Sequence, residues 1–434
     1  MKRTVMAGAM AAVLGLAAGM ARAENWPRLR GARGDGISAD TRVPTRWSEK
    51  ENLRWKRALP GPGSSSPIVW GDKVFVTCYS GYGTDRRNPG TPSNLKRHLL
   101  CLDRATGKEL WQKITPAKMP EDNYRGYLTE HGYASNTPTT DGERVYVFYG
   151  KTGVLAYDMA GKELWRREVG GMSSNRRWGS AASVMLHGGK LIVNAAEEGR
   201  AVLALDPKTG KEIWRAAGDA LELSFNTPLA TDAGGKEILL VAVPGELWAL
   251  NPETGKLRWY AETNVSGNVT PSVTLVGKLA VVTGGWPRMR TTAVRLGGKS
   301  DVTSTHRAWT TSDASYVATP VLHGGRLYWI DDRGTAQCLA ADTGKSVYKH
   351  KLDNVRGGGS SGRKFYASPL LIGGTIYAVS RRSGTFVYAP GSEFKVRAIN
   401  VLASDGSDFN AAPAVSKGQL FLRSDKAVYC IGAK

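Results

Sequence analysis

Apolar residues in this chain come in short, almost unbroken runs set close together. KLIVNAA (190–196) is followed by VLALD (202–206). Continuous runs of this length mark strands covered on both faces, since a sheet with one wet face would alternate apolar and polar positions. Between the runs stand Gly, Asp and Thr, the residues that tight turns need.

One cassette recurs. CLDRATGKELW (101–111), AYDMAGKELW (156–165), ALDPKTGKEIW (204–214) and ALNPETGKLRW (249–259) are clear copies. CLAADTGKSVY (338–348) ends in Tyr, VRLGGKSDVTSTHRAW (294–309) stretches the turn, and VYAPGSEFKV (387–396) is degenerate. An active site is needed once, so a repeated motif belongs to the scaffold. Asp103, Asp158 and Asp206 should accept hydrogen bonds from turn N–H groups. Gly107, Gly161, Gly210 and Gly255 should supply a positive-φ turn position, and Lys211 should face water. Trp111, Trp165, Trp214, Trp259 and Trp309 should pack between repeats.

A second signal precedes each copy: a small residue, usually followed by Pro, then a strand, a turn and another strand. Pro67, Pro138, Pro228, Pro271, Pro320, Pro369 and Pro413 mark it, with Ala182 in the third unit, so there are eight starts about 43 to 71 residues apart. Each unit holds four strands, A to D. Four-stranded units at this period predict an all-β, eight-bladed β-propeller with antiparallel blades. The last unit, ending LFLRSDKAVYCIGAK, lacks a D strand, while ENLRWKRAL (51–59) carries Trp55 in the repeat's Trp place. The N-terminal strand is therefore expected to complete the last blade and close the ring, leaving no long free edge.

The first residues read as an address. Lys2 and Arg3 precede a small apolar run, and Ala21-Arg22-Ala23 offers a cleavage site. The organisation expected is a signal peptide at 1–23, an N-terminal arm at 24–52 and one propeller at 53–434. No Cys near the cut suggests a lipid anchor, and no later run is apolar enough for a transmembrane segment. The chain is expected to be an exported monomer, periplasmic or secreted. Its net charge is +21, about +18 without Lys2, Arg3 and Arg22. In that compartment a basic surface meets anionic or protein partners and not nucleic acid. Cys101, Cys338 and Cys430 share one repeat position, which points to packing; Cys78 and Cys101 fall diagonally on neighbouring strands.

The cassette A-x-D-x-x-T-G-K-x-x-W resembles the blade signature of the pyrroloquinoline-quinone (PQQ)-like propellers. That superfamily includes quinoprotein dehydrogenases and the scaffold lipoprotein of the outer-membrane β-barrel assembly machine. WPRLRGARGDGIS (26–38), LPGPGSSSPIVWGDKVFVT (59–77), RLGGKSDVTSTHRAW (295–309) and AVYCIG (427–432) are similar to a group of exported bacterial PQQ-like repeat proteins. The resemblance implies the fold across nearly the whole chain after the signal peptide. It would also allow PQQ with Ca²⁺, held by carboxylates and amides with an Asp as base. Here the Asp residues sit mostly in repeated turns, and adjacent Cys, CxxCH, HExxH, GxSxG and a P-loop are all missing. No metal site and no catalytic residue is assigned, and no cofactor is expected. A PQQ-dependent oxidoreductase is kept as the alternative and a carbohydrate-binding, lectin-like propeller as the second. Two Gly-rich stretches, RGGGSSG (356–362) and RLGGKSD (295–301), could cradle an anion through backbone N–H groups.

Strand order gives the expected working face. B–C loops and D-to-A connections share one rim, and the long loops fall there. They carry Arg86, Arg87, Tyr124, Arg125, His131, Arg176, Arg177, Trp178, Trp286, Arg288 and Arg290, the candidate contacts for an envelope protein or anionic ligand. Arg97, Arg381 and Arg382 lie on the same loops. The reading is an exported, noncatalytic binding scaffold.

Overall fold

The paired apolar runs form paired strands. Lys190–Ala195 and Ala201–Leu205 lie antiparallel, and all but Lys190 are buried. The computed structural model describes residues 25–433; the expected signal peptide lies outside the described residues. Eight sheets, each built on four antiparallel strands, make the ring. The innermost (A) strands of blades 1 to 8 are Ile68–Trp70, Thr139–Thr140, Met185–His187, Leu229–Asp232, Thr274–Val276, Val321–His323, Leu370–Ile372 and Ala414–Ser416. Blade 8 takes its outer strand from the other end of the chain: Leu53–Ala58 pairs antiparallel with Ala427–Ile431. The ring closes as the repeat count requires.

The core is a set of layers between blades. Val145 and Val147 of blade 2 pack on Ile68, Phe75 and Leu99 of blade 1, and the same arrangement continues around the ring. Each cassette Trp seals a layer. The Nε1 of Trp55, Trp111, Trp165 and Trp214 donates to a turn carbonyl of the next blade: Arg104, Met159, Pro207 and Pro252, at 2.9 to 3.1 Å. The ring then lies against that turn's glycine. Gly255 has φ +71°, and a methyl there would sit 2.5 Å from Cε3 of Trp214. Trp309 keeps the contact, with Gly344, although its N–H has no partner among the described residues. Asp206 Oδ1 takes the N–H groups of Lys208 and Thr209 and the Thr209 hydroxyl. Trp214→Ala is expected to lower the unfolding free energy by about 3–5 kcal/mol, the usual cost of emptying a buried aromatic site. Urea denaturation measures it, and the half-buried Trp165 should cost less.

A belt of hydroxyls runs around the channel just above the A strands. The backbone N–H of Ser66 donates to Thr137 Oγ1, Thr137 to Ser183, Ser183 to Thr227, Thr227 to Ser272, Ser272 to Thr319, and Thr319 to Ser368. Each link joins one blade to the next. In blades 2, 4, 6 and 7 this is what the small residue before Pro does: it satisfies an inner-edge N–H that no strand can reach. In blades 3 and 5 the role falls to Ser183 and Ser272, and Val184 and Val273, not Ala182 and Pro271, hold the Pro place. Ala412 holds the place in blade 8 and has no hydroxyl.

The stretched turn of blade 5 reaches backward. Ser300–Asp301 adds to the edge of blade 4 as a parallel strand beside Trp259–Tyr260. The N-terminal arm crosses the end of the channel away from the loop rim. Trp26 bridges to Val69, Ile37–Ser38 runs parallel to Leu371–Ile372, and Asp40 accepts from Gly418 N–H. All four Cys are buried and unbridged; Cys78 faces His98, and Cys101 faces Phe75. Among the described residues no helix is long and apolar enough to cross a membrane.

Candidate functional site at the channel mouth

The A strands enter the channel from the loop rim. Ser64, Ser135, Ala181, Phe225, Asn268, Val317, Tyr366 and Asn410, one from each blade, surround a cavity of about 140 Å³ at its mouth. The connection from blade 1 to blade 2 folds over this cavity. Its short helix, Leu128–His131, brings Tyr127 against Trp178, Tyr316 and Tyr366, with ring centroids 5.1, 5.9 and 6.3 Å away. Tyr127 Oη donates to Tyr366 Oη at 2.8 Å. Trp286 against Tyr316 and Trp178 against Phe225 extend the aromatic band across the mouth. His131 Nε2 is 2.8 Å from the Trp178 carbonyl, which can only accept, and Nδ1 is 2.6 Å from Ser135 Oγ. Burial holds the imidazole pKa below its usual value, so the ring is a neutral tether at pH 7.

The overlying helix is fixed by its own carboxylate. Glu130 accepts from Arg381 Nη1 at 2.8 Å, from the N–H groups of Ser360 and Ser361 at 2.7 and 2.9 Å, and from both serine hydroxyls. Burial alone would raise the Glu130 pKa, but the hydrogen bonds from Ser360 and Arg381 outweigh it and hold the group below the ordinary carboxylate value. Arg381 also donates to Asp408 at 2.7 Å and lies 4.6 Å over the Tyr366 ring. RGGGSSG is thus an anion cradle, and the anion is the chain's own Glu130. RLGGKSD holds no such cradle; it supplies the added strand of blade 4.

A second charged cluster anchors the foot of the same connection. Arg97 meets Glu121 at 2.5 Å, and Lys151 meets Asp122 at 3.2 Å. Beside them burial pushes the Glu198 carboxyl up to about 8.

PQQ with Ca²⁺ would need carboxylates aimed into the mouth. The mouth presents Tyr127, His131, Trp178, Phe225 and Tyr366 and the amide oxygens of Asn268 and Asn410, which have no partner among the described residues, but no carboxylate lines it, and Glu130 is consumed by Arg381 and two serines. Among the described residues no cluster of three metal-ligating side chains forms. Without a carboxylate in the lining, this donor set does not fit PQQ with Ca²⁺.

The family model described as Outer membrane protein assembly factor BamB matches residues 96–350. The chain belongs to that family. It is 26% identical over 410 residues to the outer membrane protein assembly factor BamB of Burkholderia pseudomallei (strain K96243), covering 89% of this chain and 91% of that protein. Tetrathionate hydrolase of Acidithiobacillus ferrooxidans is 23% identical over 366 residues, covering 75% of this chain and 64% of that enzyme. BamB from Moraxella catarrhalis superposes with a TM-score of 0.59 at 14% identity, over 88% of this chain and 97% of that one. Quinohemoprotein alcohol dehydrogenase from Comamonas testosteroni gives 0.55 at 13%, over 94% and 81%. These two structures share the propeller fold with this BamB-family chain.

The rim candidates divide into three groups. His131 and Trp178 belong to the mouth, and Trp286, 41% exposed, borders it with Arg363 5.6 Å over its ring. Tyr124 packs with Tyr82 and Tyr133 in a tyrosine cluster on the blade 1 insertion. Arg86, Arg87, Arg125, Arg176, Arg177 and Arg288 are exposed on the rim, with Arg176 6.0 Å over Trp178; Arg290 is half-buried. Arg97 and Arg381 do not present charge to a partner, because both are buried in ion pairs. Sequence reading passed over Glu130, Tyr316 and Tyr366. The aromatic beside the small-Pro signal in SYVATP and FYASP was the available cue for the two tyrosines.

Proposed function

We propose that this BamB-family propeller is an exported, noncatalytic scaffold that holds a protein partner in outer-membrane assembly, and that the loop rim is its working face. One observation carries the reading. The channel mouth is covered by Tyr127 and its neighbours, so what that face offers outward is exposed arginine beside Trp286 and Trp178. Arginine and tryptophan are the residues most enriched at binding hot spots. The similarity to an outer membrane protein assembly factor over 89% of the chain supports the choice of partner.

Binding to the purified periplasmic portion of the outer-membrane barrel-assembly protein from the same bacterium tests it. Replacing Arg176, Arg177, Arg288 and Arg290 together by Ala is expected to weaken capture at least tenfold, about 1.4 kcal/mol or more, with an unchanged melting temperature. Unchanged capture would take the partner off this rim. The aromatic band favours one other reading, a carbohydrate ligand, which a glycan array separates from the first.

A further inference from the structure

The two ends of the channel differ in chemistry. Away from the rim, the arm lies along blades 1 and 2, through Trp26 with Val69 and Pro27 with Thr140, and then along blade 7 through Ile37–Ser38. Against blades 3 to 6 it leaves a cavity of about 470 Å³, within the roughly 300–1,000 Å³ usual for small-molecule sites. The walls there are aliphatic: Met185, Leu229, Val273, Leu275 and Leu322 come from four successive blades.

Three arginines of the arm, Arg28, Arg30 and Arg33, line this cavity and are used differently. The Arg30 guanidinium is fully engaged; it donates to the carbonyls of Asp35, Pro320, Thr319 and Pro369 at 2.7 to 3.2 Å. Arg28 is not. Its Nε reaches the Ala32 carbonyl at 3.2 Å, and its Nη1 meets only the Met185 thioether, at 3.9 Å. Among the described residues no carboxylate lies within ion-pair distance of Arg28. Asp35, the carboxylate of the cavity wall, is paired with Arg33 at 2.7 Å and accepts from Ile37 N–H. A guanidinium has five donors in a fork that matches a carboxylate. Arg28 is half-buried, and desolvation lowers its pKa despite the nearby charge of Asp35. Three guanidiniums, of which Arg33 pairs with the one carboxylate Asp35, leave an aliphatic cavity with a positive wall.

We infer that this cavity binds a small amphiphilic anion, a single carboxylate on an aliphatic chain. The carboxylate sits on Arg28, and the chain lies between the inner strands of blades 3 to 6. The apolar walls disfavour a multiply charged or hydrophilic anion, and a lone available guanidinium matches one headgroup. The site is at the opposite end of the channel from the proposed partner rim, so the two readings stand or fall separately.

Calorimetric titration of the intact protein with decanoate below its micellar concentration tests the inference. Saturable one-to-one binding is expected. Arg28→Gln should weaken it by about tenfold or more, as loss of hydrogen bonds to a charged group requires. Leu275→Trp, which fills the cavity and leaves Arg28 in place, should abolish it. Both variants should keep the wild-type melting temperature and rim capture, and acetate should not bind. Absence of saturable binding, equal affinity for decanol, or undiminished binding to Arg28→Gln or Leu275→Trp would overturn it.

Discussion

A chain that begins at Leu59 is expected to fail to form the native ring, whereas one that begins at Asn25 should fold normally. The difference lies in Leu53–Ala58 and the arm before it. Without that strand, Ala427–Ile431, buried at every position, becomes an exposed apolar edge. Such an edge templates association with other chains. Trp55 is lost as well, and with it the ring over Gly107 and the bond to the Arg104 carbonyl. One such Trp is worth about 3–5 kcal/mol, a large share of the roughly 5–15 kcal/mol that holds a domain together. The truncated chain should elute as aggregate and lack a cooperative thermal transition. A peptide spanning 45–60, added during refolding, should recover part of the monomer. A truncated monomer with the full-length melting temperature would mean that blade 8 is stable with three strands.

Arg381→Met should be the most damaging single substitution on the rim side, at about 3–5 kcal/mol. Removing one partner of a buried ion pair leaves the other charge uncompensated, and here two carboxylates, Glu130 and Asp408, lose the same guanidinium. The pH dependence gives the mechanism a signature. Glu130 has a folded pKa below its ordinary value, so its contribution is present above the unfolded pKa and is lost as pH falls through the folded one. In the variant the stabilising partner is gone and burial remains, so acid relieves the cost. The stability gap between the two proteins should therefore be widest near pH 7 and narrow toward pH 4, measured by urea denaturation. Glu130→Gln in the Arg381→Met background should restore part of the loss. A gap that widens in acid would rule out Glu130 as the group responsible.

The ring was legible because its information is local and repeated. Asp206, Gly210 and Trp214 lie within one hairpin, and several copies average out the exceptions. Closure was legible because Trp55 fills the one outer-strand place the last unit leaves empty. The clasp on the mouth was not legible. Glu130 and Arg381 are 251 residues apart, and charge composition alone does not distinguish a solvated arginine from one buried against a distant carboxylate. Arg97 and Arg381 therefore read as rim charge and proved to be internal. The arm was equally opaque. WPRLRGARGDGIS announces turns, but nothing in it says that Arg30 lies across the channel base with carbonyls of blades 6 and 7 around its guanidinium.

The hydroxyl belt has a direction. Every link passes from a backbone N–H to the side chain of the following blade, from Ser66 onward to Ser368, and the circuit stops at Ala412. Blade 8 is also the blade assembled from both chain termini. The inner fastening and the outer covalent continuity are thus interrupted at the same place. The molecule behaves as a bracelet with one clasp: seven blades are threaded on a continuous chain and an unbroken inner cord, and the eighth is where the ends are brought together. Separation of the blades is therefore expected to begin at that clasp.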